Sequence, residues 1–256
     1  MKDLRKHGKQ PFIAAVIHGG PGALGDMYPV AKQLSKEFGT LEPLQTKTSI
    51  DELVYQLTSI IVKNADKPIT LIGHSWGAWL SIMFASVNPS LVKKLILVGC
   101  APFEPDYAKD IMKTRLNRLD EKERKKFKTI LDSLSEQNNP ESIKELFYQF
   151  NKTDSYRPVE VKENKTFSLE LHNSIWNEAE KLRNSGELLR YVINVTCPIT
   201  IIHGTYDPHP LKGVIKPLSK IVKDVKVITL ERCGHTPWNE EFVKEKFFSI
   251  LEIEIE

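Results

Sequence analysis

The sequence predicts an α/β protein whose mainly parallel sheet of about six strands is covered by helices on both faces. Three observations lead to this prediction. Short apolar runs such as Phe12–Ile17 and Leu95–Val98 are typical of strands buried on both faces. Segments of helical length separate these runs, which favours right-handed crossovers between parallel strands. One long middle segment has helical periodicity and no strand run, so we expect it to be a helical insertion.

The composition is that of an ordinary globular protein. The chain has 256 residues, of which 36 are basic and 33 acidic, giving a net charge of +3. This length predicts one domain, or one domain with an insertion. Nucleic-acid binding would need a basic stripe, and no apolar run is long enough for a membrane span. The three cysteines lack metal-site spacing and Met1–Gln10 does not resemble a secretory signal, so we expect a cytoplasmic protein.

Local patterns predict the elements of the first half. Asp26 can cap a helix, and Ser49 with Glu52 forms a capping box before another. The helix that follows Ser75 is apolar nearly all round, which predicts a central position. In chain order we expect a strand at Phe12–Ile17, a helix near Met27–Phe38, a strand at Thr40–Leu44, a helix after Ser49, a strand at Pro68–Ile72 and a helix at Gly77–Val87.

The second half divides by composition. Between Glu104 and Arg190 the chain has 17 basic and 17 acidic residues among 87 positions, with apolar residues at helical spacing. Strand runs flank this segment at Leu95–Val98 and recur at Ile199–Ile202 and Val225–Leu230. We therefore expect a core of residues 1–103 and 191–256, with residues 104–190 forming a helical cap.

The motif with the clearest chemistry is G-H-S-W-G at Gly73–Gly77. It lies where an expected strand ends and an expected helix begins. A serine flanked by glycines at such a turn is a nucleophile elbow. An ordinary helix-capping serine is the alternative, but the strand–turn–helix context favours a catalytic Ser75.

A serine hydroxyl needs a base, and the base needs an orienting acid. Asp207 and His235 each follow an expected strand, and the order Ser75, Asp207, His235 is the order of α/β-hydrolases. Glu104 and Asp106, at the entry to the insertion, are the alternatives for the acid. Asp207 is preferred because it lies in a short loop between a strand and a helix.

From His18 to its C-terminal helix, the chain resembles an α/β-hydrolase with a helical cap. The resemblance implies a Ser-His-Asp triad without a metal or organic cofactor. It also implies that the H-G-G-P-G loop beginning at His18 is the oxyanion loop, with the backbone N–H groups of Gly20 and Trp76 as donors. This loop and the S-W-G sequence are similar to those of prolyl aminopeptidases. The chain departs from them at His74, where glycine is common. Only about ten residues precede its first expected strand, whereas most members have two additional N-terminal strands, so we expect the sheet to be truncated at that edge.

Several ring-bearing residues lie near the expected strand ends or in the cap. Core packing explains each of them singly, because large aromatic residues dominate protein cores. As a group they predict the wall of a substrate pocket, whose candidate residues are Trp79, Phe103, Tyr148, Trp176, His209 and Trp238.

Parts of the sequence are also consistent with two other classes of function. Gly20–Gly25 matches the dinucleotide fingerprint G-x-G-x-x-G, with Glu42 further along, but the helix is expected only after Gly25. A non-catalytic hydrolase-like binding protein would keep the fold, and the complete triad argues against it. The sequence predicts cleavage of a small ester, thioester, lactone or amide, with a prolyl-type aminopeptidase as the alternative. The expected partner is a small molecule or short peptide, with no nucleic acid and no membrane; the oligomeric state is not predicted.

Overall fold

The computed structural model describes residues 3–136, 140–159 and 166–256, and its centre is a seven-stranded sheet. The strand order is β1-β4-β2-β5-β6-β8-β9, with β3 and β7 forming a separate pair. All neighbours in the large sheet are parallel except β1 and β4. The strands are β1 (Leu4–His7), β2 (Phe12–Ile17), β3 (Ala23–Leu24), β4 (Gly39–Pro43), β5 (Ile69–His74), β6 (Val92–Val98), β7 (Thr166–Phe167), β8 (Ile199–Gly204) and β9 (Val225–Leu230).

Helices cover both faces of this sheet. Alternate residues of β2 enter different apolar clusters: Ala15 and Ile17 face one, Ala14 and Val16 the other. Helices α2, α3 and α8–α10 contribute to the first cluster, and α1 and α11 to the second. The helices are α1 (Tyr28–Leu34), α2 (Ile50–Asn64), α3 (Trp76–Val87), α4 (Pro105–Ala108), α5 (Ile111–Asn117), α6 (Glu121–Glu136), α7 (Pro140–Asp154), α8 (Leu169–Ser185), α9 (Glu187–Ile193), α10 (Lys212–Leu218) and α11 (Lys244–Ile255).

The mainly parallel sheet is confirmed, with one strand more than the sequence predicted. The extra strand is β1, which pairs antiparallel with β4 in a stretch we expected to contain no strand. Its residues are largely polar, and the pairing is stabilised through Glu42 of β4. The fully buried Glu42 carboxylate accepts from Arg5 Nη1 at 3.3 Å and lies 2.7 Å from His7 Nε2.

The segment between β6 and β8 contains α4–α9 and β7. Its later helices share the core of the sheet, because Ile175 and Ala179 of α8 pack in the same cluster as α3. The segment also meets the loop after β2 through the β3–β7 pair, where Ala23 faces Phe167. No helix in the described part of the chain is long and apolar enough to cross a membrane.

Candidate active site

The turn between β5 and α3 holds Ser75 in a strained conformation. Ser75 has φ 52° and ψ −115°, a region that residues other than glycine rarely adopt. A Cβ atom on Gly73 would lie 2.4 Å from Gly77 O, and one on Gly77 would lie 2.2 Å from Ile17 O. Both glycines are therefore required by close backbone packing. The turn leaves Ser75 half-buried at the carboxyl end of the central strand.

Asp207 and His235 follow the neighbouring strands β8 and β9 and are hydrogen-bonded to each other. His235 Nδ1 lies 2.7 Å from Asp207 Oδ2, and the Asp207 side chain is fully buried. Burial alone would raise the pKa of Asp207, but His235, His209 and His203 outweigh it and hold that pKa well below its ordinary range. The carboxylate therefore stays ionised beside the His235 ring.

His74 connects the turn that holds Ser75 to the segment after β9 that carries His235, which we call the histidine loop. Its ring centroid lies 4.7 Å from that of His235, and its Nε2 lies 3.1 Å from His235 O. Its Nδ1 lies 3.1 Å from Asp26 Oδ2, and burial lowers the pKa of His74 against the effect of this hydrogen bond. Within the described residues no hydrogen bond joins Ser75 Oγ to His235. Such bonds are often long without substrate and tighten when it binds.

The alternative acids at the start of the insertion lie differently. The Asp106 side chain is 89% exposed and pairs with Lys109 on the next turn of the chain. Glu104 is half-buried and precedes α4 as its N-terminal cap residue, without a side-chain capping bond. Neither residue has the buried contact with His235 that Asp207 makes.

The loop after β2 contacts the start of α3. Gly20 is half-buried with φ +39°, and Gly20 O accepts from Ala23 N at 2.9 Å. Trp76 is the first residue of α3, a position whose backbone N–H has no acceptor within the helix. Gln45 fixes the arrangement, because Trp76 Nε1 donates to Gln45 Oε1 at 2.7 Å and Gln45 Nε2 donates to His18 O at 3.0 Å.

His18 is buried at the start of this loop and serves its geometry. Its Nε2 accepts from Gln45 N at 3.2 Å, so its Nδ1 carries the proton that bonds Gly19 O at 2.9 Å. Burial lowers the pKa of His18, which agrees with a neutral ring.

The six predicted pocket residues separate into four groups. Trp79 and Phe103 are fully buried, and Trp79 stacks on the half-buried Trp176 with ring centroids 6.3 Å apart. Trp238 is buried on the other face of the sheet, against His74 and Phe247. Tyr148 of α7 is 63% exposed. The sixth residue, His209, contacts Asp207 and His235.

A residue without a local sequence signal holds the histidine loop. Glu240 is fully buried, and its carboxylate accepts three backbone N–H groups at 2.7 Å, from Tyr156, Arg157 and Gly234. It therefore ties the loop before His235 to the chain that leaves α7.

Asp207, His209 and His235 form a cluster whose ligand-capable atoms lie within 4.8 Å of one another. The rings of His209 and His235 both direct Nδ1 toward the Asp207 carboxylate. Hydrogen bonds among the three side chains therefore explain why they lie together, without a metal ion. The G-x-G-x-x-G stretch does not have the geometry of a dinucleotide site. It contains β3, the next helix begins only at Tyr28, and the Glu42 carboxylate already contacts Arg5 and His7.

Comparisons with known proteins agree with this architecture. A family model described as alpha/beta hydrolase fold matches residues 40–240. A search of curated protein sequences finds no match. Among solved structures, VinJ superposes with a TM-score of 0.71 at 15% identity, covering 98% of this chain and 93% of VinJ.

Two further structures cover nearly the whole chain, each at 18% identity and a TM-score of 0.63. The monoacylglycerol lipase of Paleococcus ferrophilus covers 100% of this chain and 98% of its own. E-2-(Acetamidomethylene)succinate hydrolase covers 98% of this chain and 93% of its own. At these identities the likeness shows the fold alone.

Proposed function

Because the chain belongs to the alpha/beta hydrolase fold family, we propose that it is a serine hydrolase with Ser75, His235 and Asp207 as its catalytic triad. The observation that carries the proposal is the buried Asp207–His235 hydrogen bond of 2.7 Å. It lies at the same edge of the sheet as the strained turn that holds Ser75. Strain is kept at a turn when the surrounding structure requires it, as at reactive sites.

In the proposed reaction, Ser75 Oγ attacks the substrate carbonyl while His235 Nε2 takes the hydroxyl proton. The ionised Asp207 accepts from Nδ1–H, which fixes the ring tautomer and stabilises the imidazolium that forms. The backbone N–H groups of Gly20 and Trp76 donate to the developing oxyanion. His235 then protonates the leaving group as the tetrahedral intermediate collapses to the acyl-enzyme. In the second half-reaction His235 takes a proton from water, which attacks the acyl carbon, and returns it to Ser75 Oγ as the acid product is released.

The substrate class we propose is a small ester, thioester, lactone or amide. Trp79 of α3 stacks on the half-buried Trp176 and lies next to Phe103, and an aromatic cluster of this kind suits an apolar acyl group. We also propose that residues 104–190 act as a cap that completes this cluster. The structural neighbours include a lipase and a hydrolase of an acetamidomethylene compound, which supports acyl transfer without identifying the substrate.

A prolyl-type aminopeptidase is the second candidate, favoured by the H-G-G-P-G and S-W-G sequences. Such an enzyme needs acidic side chains that meet the substrate's ammonium group. Glu170 and Glu178 of α8 are candidates for this role by their location in the proposed cap. Glu178 Oε2 accepts the Ile50 N–H at 2.9 Å, and Glu170 is exposed, so neither supports it.

The cytoplasmic location expected from the cysteines stays a prediction.

The decisive experiment is the Ser75→Ala variant, tested with p-nitrophenyl acetate beside Pro-p-nitroanilide. Loss of a triad nucleophile typically lowers kcat by about 10⁴–10⁶-fold, and alanine fits the space of the serine. A fluorophosphonate should label the native protein at Ser75, located by peptide mass spectrometry.

Ser86→Ala on the same helix is the matched control and should keep both activity and labelling. A label on another residue, or full turnover by Ser75→Ala, would contradict the proposal. The ratio of ester to anilide cleavage separates the two substrate classes.

A further inference from the structure

Asp207 has a second oxygen, and His209 binds it twice. His209 N donates to Asp207 Oδ1 at 2.9 Å, and His209 Nδ1 lies 2.8 Å from the same oxygen. An ionised carboxylate only accepts hydrogen bonds, so Nδ1 must carry the proton in this contact. One buried carboxylate thus holds two imidazoles, His235 on Oδ2 and His209 on Oδ1.

The His209 ring also covers the His235 ring. Their centroids lie 4.3 Å apart with an interplanar angle of 28°. His209 is itself held in place, because its carbonyl lies 2.8 Å from Nε2 of the buried His203 on β8. The ring is therefore fixed between the strand end and the histidine loop.

Other titratable groups surround this pair on several elements. His203 Nε2 lies 3.6 Å from Asp207 Oδ2, and the His74 ring of β5 lies 4.7 Å from the His235 ring. The buried Cys100 after β6 also faces Asp207, and burial raises the pKa of its thiol, which keeps it neutral. The buried Glu240 accepts the N–H of Gly234, next to His235. Of these, only His209 donates to the second oxygen of Asp207 in the described structure.

We propose that His209 is a positioning residue of the hydrolytic site, whose side chain helps to fix the second oxygen of Asp207, Oδ1, and thereby sets how firmly that carboxylate holds His235. The proposal rests on the triad proposed above. A donor on Oδ1 keeps Oδ2 directed at His235 Nδ1, and it withdraws negative charge from the carboxylate. Without that donor, Asp207 would move more freely and would stabilise the protonated form of His235 more strongly.

The test separates the donor from the ring with two variants. His209→Asn keeps a side-chain N–H donor near the Nδ1 position, and His209→Phe keeps a stacked ring without a side-chain donor. The backbone N–H of residue 209, which also donates to Asp207 Oδ1, remains in both variants. The measurement is the rate of Ser75 labelling by a small fluorophosphonate between about pH 5 and pH 9, where histidine protonation governs serine activation.

We expect His209→Phe to lower the plateau labelling rate about tenfold, and to move the acid-side midpoint to higher pH by about half a unit. His209→Asn should recover most of both losses. Thermal melting of each variant checks its fold, and His209→Ala replaces His209→Phe if the latter does not melt cooperatively.

Two results would overturn the proposal. One is a native pH profile in His209→Phe, which lacks the side-chain donor. The other is an equal loss in His209→Asn and His209→Phe, which would mean that only the imidazole ring as a whole is tolerated there. Failure of the triad proposal looks different, because the native protein would then not be labelled at Ser75 at all.

Discussion

Among single residues, Asp207 has the most unusual environment of the site. A fully buried carboxylate normally becomes harder to ionise, yet its three histidine neighbours hold its pKa well below the ordinary range. The group therefore stays charged whenever the protein is folded near neutral pH. The acid-side loss of activity should accordingly follow histidine protonation and not the titration of Asp207.

Asp207→Asn tests this role directly. An amide can offer an N–H to His235 Nδ1, which favours the wrong tautomer, so kcat should fall by roughly 10⁴-fold. Asp106→Asn is the matched control, because that side chain is 89% exposed and should leave p-nitrophenyl acetate hydrolysis unchanged. If Asp106→Asn were the damaging change, the orienting acid would lie at the start of the insertion and not after β8.

Some residues of the site can be predicted from the sequence, and others cannot. Ser75 sits in a motif, and Asp207 and His235 follow apolar strand runs, so parallel topology alone brings them to one edge. Gln45 and Glu240 have no such signal. Gln45 bonds Trp76, which is 31 positions away, and Glu240 bonds Tyr156, which is 84 positions away. Only the folded chain shows those partners.

At the scale of elements, the histidine loop and the chain leaving α7 form one hydrogen-bonded unit. His235 N donates to Asp154 O at 2.8 Å, and Val159 N donates to Asn239 O at 2.7 Å. Glu240 lies between these two bonds and accepts from both segments. The segment that leaves α7, within the proposed cap, thus helps to place the proposed base.

Glu240→Gln should weaken this unit. The amide replaces one carboxylate oxygen with a donor that faces a backbone N–H, and such a buried mismatch costs about 1–3 kcal/mol. We expect a lower Tm and slower fluorophosphonate labelling of Ser75. Glu245→Gln, at an exposed position in the first turn of α11, is the control and should change neither. An unchanged Tm in Glu240→Gln would show that these bonds do not hold the loop.

Element prediction failed where stability comes from a distant partner. Strand β1 is short and largely polar, and its pairing depends on the buried Glu42 of β4, which receives Arg5 and lies beside His7. Strands β2, β5, β6 and β8 are instead buried nearly throughout. Each therefore forms an apolar run in the sequence, and such runs predicted these strands correctly.

At the scale of the whole molecule, the carboxyl ends and the amino ends of the strands have different roles. The proposed triad lies at the carboxyl ends of the strands, whereas a charged cluster near the amino ends attaches the C-terminal helix. Glu254 of α11 accepts from Thr200 Oγ1 of β8 at 2.8 Å and from Lys94 Nζ of β6 at 3.2 Å. Lys226 Nζ of β9 bonds its other oxygen. One carboxylate therefore joins the last helix to three adjacent strands.

The pH dependence of stability should reveal this attachment. Burial alone would raise the pKa of Glu254, but hydrogen bonds from Lys226, Thr200 and Lys94 outweigh it and lower the pKa to about 2. A carboxylate with a depressed folded-state pKa contributes stability above its unfolded pKa, about 4.3, and loses it as the pH falls toward 2. A shift of this size corresponds to at most about 3 kcal/mol at neutral pH, and solvent around the exposed Lys226 side chain reduces that contribution.

Glu254→Gln should therefore lower the free energy of unfolding in urea at pH 7 and flatten its fall between about pH 4.5 and pH 2. Glu252→Gln, half-buried on the same helix, is the matched control and should keep the native pH dependence. Labelling of Ser75 at pH 7 should stay at the native rate in both variants, because the cluster lies at the opposite end of the strands. A native pH dependence in Glu254→Gln would mean that the ion pairs of its carboxylate with Lys94 and Lys226 add nothing to stability.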